Sequence, residues 1–447
     1  MNPESWYYDH MHRNKYFTHI NISGDDYLLP TAQSISDHKR GIRISDTGAL
    51  IWSLLKPGIS LSSLIEDFIT KAGISDTYKD DAAADVKLFI DHLTDLGIVC
   101  EESNDQVSVS GSRSAGTGVS STAEESVSTV FQAFDKPALE LNIAGINIDL
   151  YGNRDYFAPS FESFNRHGDP APGDPVHDPS AGTSDTGKTD LRIAVLESPS
   201  DKPSGITGEN SGLIIRNKEM NISENAGEYV ISYPGSSQVI ETRINKESFD
   251  TVIFIKKDHE GTDMYDPASF VYQLFHAIRI PFLYVSEQRG MYAIHSVSIL
   301  YQNKAWLFSA SSGTGKSTHA ALWTDNTDAV NINGDLNVIG IKDGTPAVFG
   351  IPWCGTSGLY DTGAYPLGGV IFLKRSQTDR LEDINGSERV ITLTRRSISP
   401  VWNSKALHSM ISDLLPIADS VFIKRLHCTK EVSAQKLLQS SIDSYLS

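Results

Sequence analysis

The run 309–318, SASSGTGKST, sets two spaced glycines ahead of a Lys-Ser pair. A polyphosphate is held by converging backbone N–H groups, a cation and the positive end of a helix. Gly313 and Gly315 permit the tight backbone that such a cradle needs, and Ser312, Thr314 and Thr318 complete the run of amides around them. Lys316 supplies a point charge for the β and γ phosphates, and Ser317 offers a hydroxyl to Mg²⁺. ATP and Mg²⁺ are therefore the expected cofactors. Such a loop also needs an acid at the end of a nearby apolar strand. Asp335, in AVNINGDLNVIG and 19 residues beyond Lys316, is the candidate, and with Ser317 it would hold the metal. The same stretch also reads as a hairpin turn, because Asn-Gly and Gly-Asp are turn dipeptides.

The strict pattern G-x-x-x-x-G-K-[ST] occurs elsewhere, at 182–189 (GTSDTGKT). It lies inside a Pro/Gly-rich stretch with no preceding strand, and a strand-like run, LRIAVLE, follows where a helix should start. The amides there would have no helix dipole behind them, so this copy is set aside. The run at 309–318 has the right frame. AIHSVSILYQNKAWLFSA reads as two strands joined by a turn at 302–304, and STHAALWT continues as a helix.

Around this frame the chain divides. Residues 102–127 are rich in Ser, Gly and Thr and nearly empty of large apolar side chains, which predicts a flexible linker. The head before it opens with strand-like runs at 16–23, 27–33 and 41–45. Helices follow: one with Asp46 as N-cap, one from Ser60 to Gly73, and one over 80–96 with Ala82, Val86, Phe89, Ile90, Leu93 and Leu96 at helical spacing. Beyond the linker, strands are expected at 138–152, 191–197, 211–216, 228–234 and 251–257, with a mobile surface insertion over 168–190. From Ala268 the chain turns helical and then alternates strand and helix.

Acidic residues outnumber basic ones, 56 to 38, for a net charge of −18, which argues against sequence-blind binding to nucleic acid or anionic membrane. Cys100, Cys354 and Cys428 are too few and scattered for a disulfide framework. The polar, aromatic N-terminus and the absence of any run of about 20 apolar residues predict a cytoplasmic protein.

Taken together, these residues resemble the HPr kinase/phosphorylase family, which shares a phosphoenolpyruvate-carboxykinase-like fold. In that family a His-Gly/Ser dipeptide begins the strand pair that leads into the loop; here His295-Ser296 precedes Lys316 by 21 residues. The resemblance implies a catalytic place for His295 beside Lys316 and Asp335. The segment FGIPWCGTSGLYDTGAYPLGGVIFLKR is similar to a subfamily found beside peptide-modification systems, with Cys354 either a nucleophile or a packed thiol. The main family carries Asp-Asp where this chain has Gly334-Asp335, and a glycine where it has Ala310. The general base therefore stays open between Asp335 and His295, and the family's late arginine falls on Arg395 or Arg396.

The head resembles PqqD-like peptide-recognition domains: three strands, a helix ending in W-x-L-L, and helices closing on L-x-x-L-G-I-V. That resemblance implies a leader peptide adding to the strand at 41–45 and packing on the helix at 80–96. A DNA-binding winged helix is the rival, but its third helix would present Asp80, Asp81, Asp85 and Asp91 against Lys79 and Lys87.

The expected architecture is an α+β winged-helix-like domain (14–101), a linker (102–127), and an α/β HPr-kinase/PEP-carboxykinase-like P-loop domain. The latter comprises a strand-rich N-terminal extension (128–290) and a core (291–447). The implied function is an ATP-dependent kinase acting on a Ser or Thr hydroxyl of a ribosomally made precursor peptide. An ATP-binding peptide chaperone, or a kinase of a carrier protein or free serine, are the alternatives, and a homo-oligomer is left open.

Overall fold

A computed structural model of the chain describes residues 11–101, 127–167, 188–198, 212–225, 227–257 and 266–447. It falls into two compact units, one built from the head together with 401–405 and one from the remainder of the chain.

In the head, strands Phe17–Ile22, Asp25–Pro30 and Ile42–Ile44 form an antiparallel sheet in that order, so Ile42–Ile44 lies at an edge. The run expected to stay extended to 33 stops at Pro30, which has no N–H for the ladder, and a short helix, Ala32–Ser36, follows. Helices Asp46–Leu54, Leu61–Ala72 and Lys79–Asp95 pack Trp52, Leu64, Phe68, Val86, Ile90 and Leu93 onto Leu28 and Ile44. Ser45, not Asp46, caps the first of these, accepting from Gly48 N. Ser60 and Gly73 cap the second as expected, Gly73 in the left-handed conformation.

The second unit is mixed α/β with two eight-stranded sheets. The first runs in the order Leu139–Ile143, Ile146–Tyr151, Leu191–Glu197, Thr251–Ile255, Val239–Asn245, Glu228–Ser232, Asn221–Glu224, Gly212–Arg216. Two of these strands escaped the sequence reading. Val239–Asn245 carries Glu241, buried and 2.7 Å from Arg243, which breaks the apolar pattern; Asn221–Glu224 is only four residues long. Helix Pro267–Gln288 packs Leu274, Ile278 and Phe282 into a core shared by both sheets.

The second sheet begins with the hairpin Tyr292–Tyr301 and Lys304–Ser309, turned by Gln302 and Asn303 at φ +50° and +59°. Strands Leu336–Lys342, Thr345–Phe349 and Ala364–Arg375 follow. The 12-residue Ala364–Arg375 pairs antiparallel with Thr345–Phe349 at one end and parallel with Lys304–Ser309 along the other, closing five strands into a ring. Phe422–Cys428 and Arg380–Asp383 extend the open side.

Val330–Asn333 and Leu336–Lys342 do not pair with each other. Both pair antiparallel with Tyr292–Tyr301, the former at 298–300 and the latter at 292–295. The Asn-Gly-Asp sequence is thus a break in one strand line and not a hairpin turn. Of the expected linker, 102–126 lies outside the described residues, and Val127 opens a helix, Val127–Val130. Of the expected mobile insertion, 168–187 lies outside them, including most of the 182–189 motif. Its end is held: Thr189 donates to the buried Asp149 carboxylate, and Asp190 pairs with Arg289. Among the described residues no helix is long and apolar enough to cross a membrane.

Candidate active site

The loop after Lys304–Ser309 runs directly into helix Lys316–Asn326. Gly313 and Gly315 adopt φ of +72° and +115° with open space where a Cβ would stand, so backbone conformation alone demands glycine there. Gly315 is the N-cap and carries no side chain, which leaves the first-turn amides of Lys316, Ser317 and Thr318 without a side-chain cap. Ala310 is fully buried and keeps an ordinary φ, so the missing first glycine leaves the turn intact. Arg375, at the end of Ala364–Arg375, donates to the carbonyls of Gly313 and, at 3.3 Å, of Thr314. The loop's carbonyls are thereby engaged by a guanidinium.

Three residues expected to act together do meet. Lys316 Nζ lies 2.8 Å from His295 Nε2 and 3.3 Å from the carbonyl of Ala310. His295 Nδ1 lies 3.3 Å from Asp335 Oδ1. An ammonium group can only donate, so Nε2 accepts and the ring proton sits on Nδ1, facing the carboxylate. Burial, then the Lys316 charge, holds His295 below the ordinary histidine range. Burial likewise lowers Lys316, with Asp335 opposing it.

The backbone fixes this line. Ser296 N donates to Asp335 O at 2.9 Å, and Ser309 Oγ donates to His295 O at 2.8 Å. Asn333 Oδ1 accepts from the amides of Asp335 and Leu336, which shapes the break between the two strands. Beneath it Asn337 Nδ2 donates to Ser296 O at 2.7 Å and Ser298 Oγ donates to Asn337 Oδ1 at 2.6 Å, all buried. A paired buried network of this kind fixes geometry, since each broken bond would leave a desolvated polar group.

Gly334 stands where the resembled family has its second acid. A Cβ there would lie 2.0 Å from Ser357 Oγ, so the loop after Trp353 occupies that space. Asp335 is the sole acid at this break. Cys354 is buried, and burial raises its thiol, which fits a packed side chain and not a nucleophile.

Of the two late arginines, Arg396 reaches the site. Its guanidinium lies 3.4 Å from Ser311 Oγ, its carbonyl accepts from His295 N at 3.0 Å, and its charge helps lower both His295 and Lys316. Arg279 was not anticipated. It shares a helix face with Phe275, whose ring stacks on Trp353 at 5.5 Å, and with Phe282, whose ring lies tilted against Trp353 at 4.9 Å, while Trp353 Nε1 donates to Phe275 O at 3.0 Å. Burial lowers Arg279, and the first charge opposing that is Asp335. The signal lay in the sequence: FHAIRIPF places an arginine within an apolar stripe.

Among the described residues no group of three His, Cys, Asp or Glu side chains could by itself hold a metal. Ser317, a hydroxyl, and Asp335, a carboxylate, are the residues that could hold Mg²⁺ if a bound polyphosphate supplied further oxygens. In the head, Gly48 separates Ile44 of the edge strand from Phe89 of helix Lys79–Asp95, and a Cβ there would meet them at 3.2 and 3.1 Å. The strand and helix expected to receive a peptide therefore converge at one point.

No protein-family model matches this chain, and no curated protein matches it.

Proposed function

We propose that the chain is an ATP-dependent kinase with an HPr-kinase-like core, which phosphorylates a Ser or Thr hydroxyl of a ribosomally made precursor peptide captured by its PqqD-like head. The observation that carries this reading is the line Lys316, His295, Asp335 at the mouth of a glycine-turned loop and an uncapped helix start.

Lys316 and the amides of 312–318 bind the triphosphate; Ser317 and Asp335 are the residues that would hold Mg²⁺, which neutralises charge on the phosphates when bound. As Lys316 turns to the phosphates it leaves His295 Nε2. His295 keeps Nδ1–H toward Asp335 and so orients the carboxylate that receives the acceptor proton. Positioning and electrostatics do most of the work, as in phosphoryl transfer generally. In the head, the edge strand Ile42–Ile44 and the helix Lys79–Asp95 are where an extended leader would add. The three cysteines, all free, accord with a reducing, cytoplasmic setting.

Incubating the full chain with ATP, Mg²⁺ and a candidate precursor peptide, with and without its leader, tests the reading by mass spectrometry. A phosphate-sized increase that depends on the leader is expected. The filled space at Gly334 favours one rival, a peptide chaperone gated by ATP: bound peptide with no phosphopeptide would establish that instead.

A further inference from the structure

Strand Ala364–Arg375 runs parallel to Lys304–Ser309 with Phe372 opposite Ser309, so its last residue stands about 10 Å further on, level with the glycine-turned loop. That end is itself fixed, since Arg375 is in register with Cys428 and Ser376 N donates to Cys428 O at 3.0 Å. From this exposed place Arg375 donates through Nη2 to the Gly313 carbonyl and through Nε to the Thr314 carbonyl, the latter at 3.3 Å. In a trans peptide the C=O and N–H point to opposite sides, so each carbonyl facing Arg375 turns an amide away from it. One is that of Thr314, which donates to Ser311 O at 3.2 Å; the other is that of Gly315. These two peptide units join glycines at φ +72° and +115°, where the missing side chains leave little barrier to turning a unit over. Arg396, by contrast, meets the loop at a side chain, Ser311 Oγ, at 3.4 Å.

We infer that Arg375 is a positioning residue for nucleotide: its guanidinium holds the Gly313 and Thr314 carbonyls outward, so that the Gly315 amide faces a polyphosphate before one arrives. This rests on the kinase reading above and assigns Arg375 no contact with the nucleotide. A planar fork of donors suits two successive carbonyls better than the single head of a lysine does. Without that hold the glycine backbone must be ordered as the ligand binds, which weakens affinity. The loss falls on ADP and ATP alike, because Arg375 acts through the backbone and not on the γ-phosphate.

Calorimetry on the full chain with Mg·ADP and with Mg²⁺ and a non-hydrolysable ATP analogue, joined to amide hydrogen exchange read by mass spectrometry, tests this. Arg375→Met should weaken both nucleotides by about five- to tenfold, the two losses agreeing within about threefold. In the nucleotide-free variant, exchange over 311–316 should quicken at least about threefold while the flanking strands keep the wild-type rate, which also shows that the variant is folded. Arg375→Lys should fall between wild type and methionine in both measurements, and it carries the same comparison should the methionine variant fail to fold. The inference is overturned if a folded Arg375→Met binds Mg·ADP as wild type does or if its loop exchanges no faster. It is equally overturned if the ATP analogue loses more than about threefold beyond the loss for ADP, which would make Arg375 a direct ligand of the γ-phosphate. Wild-type protein that binds neither nucleotide would overturn the kinase reading itself, whereas loop exchange in the variant reads the hold of Arg375 without any nucleotide.

Discussion

Lys316 Nζ rests 2.8 Å from His295 Nε2, so the cation that the proposed reading assigns to phosphate is held by the histidine. Two consequences of Lys316→Ala follow from that contact. Phosphate loses a charged donor, and nucleotide affinity should drop at least about tenfold. His295 loses the second-largest influence holding it down, after burial, so its pKa should rise toward the ordinary value. A histidine titration by NMR reads this directly; an unchanged His295 curve would mean the contact is not populated in solution.

Arg396 gives a test of the same histidine from another side. Its charge also lowers His295, behind burial and Lys316. In the mechanism above His295 must be neutral, so activity should persist at pH values below the ordinary histidine range and fail as pH drops through the depressed pKa. Arg396→Met removes one lowering charge, so the acid limb of kcat should move to higher pH. A limb that stays in place, or moves to lower pH, would take His295 out of the reaction.

The Asn333 side chain ties position to stability. It accepts from Asp335 N and Leu336 N and donates to Ile351 O at 3.0 Å, fully buried. Asn333→Ala strands those groups, which should cost about 1–3 kcal/mol in denaturant unfolding. Because the same bonds aim Asp335, phosphoryl transfer should fall by more than the folded fraction does, on the order of a hundredfold in kcat. A variant that is destabilised but fully active under conditions where it is folded would show that Asp335 needs no such support.

What could be read beforehand follows from how local each signal is. The glycine-Lys-Ser loop was legible because its strand, turn and helix are contiguous in sequence and each has its own local pattern. His295 and Asp335 could be joined only through the family resemblance, since their proximity comes from the segments before and after Gly334-Asp335 both pairing with the strand that carries His295. Turn chemistry leaves two readings open at 333–335: the Asn-Gly-Asp composition also suits a hairpin, and only long-range pairing reveals a strand break. Arg279 was hidden for the opposite reason. Its helix was plain, but the face that carries the arginine gains a partner only when Trp353, 74 positions later, packs on Phe275. Gly334 became informative only once Ser357 was seen in the space of the absent side chain.

Glu287 offers a test of the fold that is independent of the chemistry. It lies at the end of helix Pro267–Gln288, 5% exposed, with Oε2 unpartnered among the described residues, and burial pushes its carboxyl up to about 8. A raised acid contributes its full stability below the unfolded value, where both states are protonated. As pH rises from about 4.5 to 8 the unfolded chain ionises and the folded one does not, so stability falls by about 1.4 kcal/mol per unit. Glu287→Gln keeps shape and removes the titration, so the variant should gain on wild type by about 3 kcal/mol between pH 5 and pH 8. Chemical denaturation of both proteins at the two pH values measures the difference. A gap that does not change with pH would mean that Glu287 is ionised in the folded protein and has found a partner.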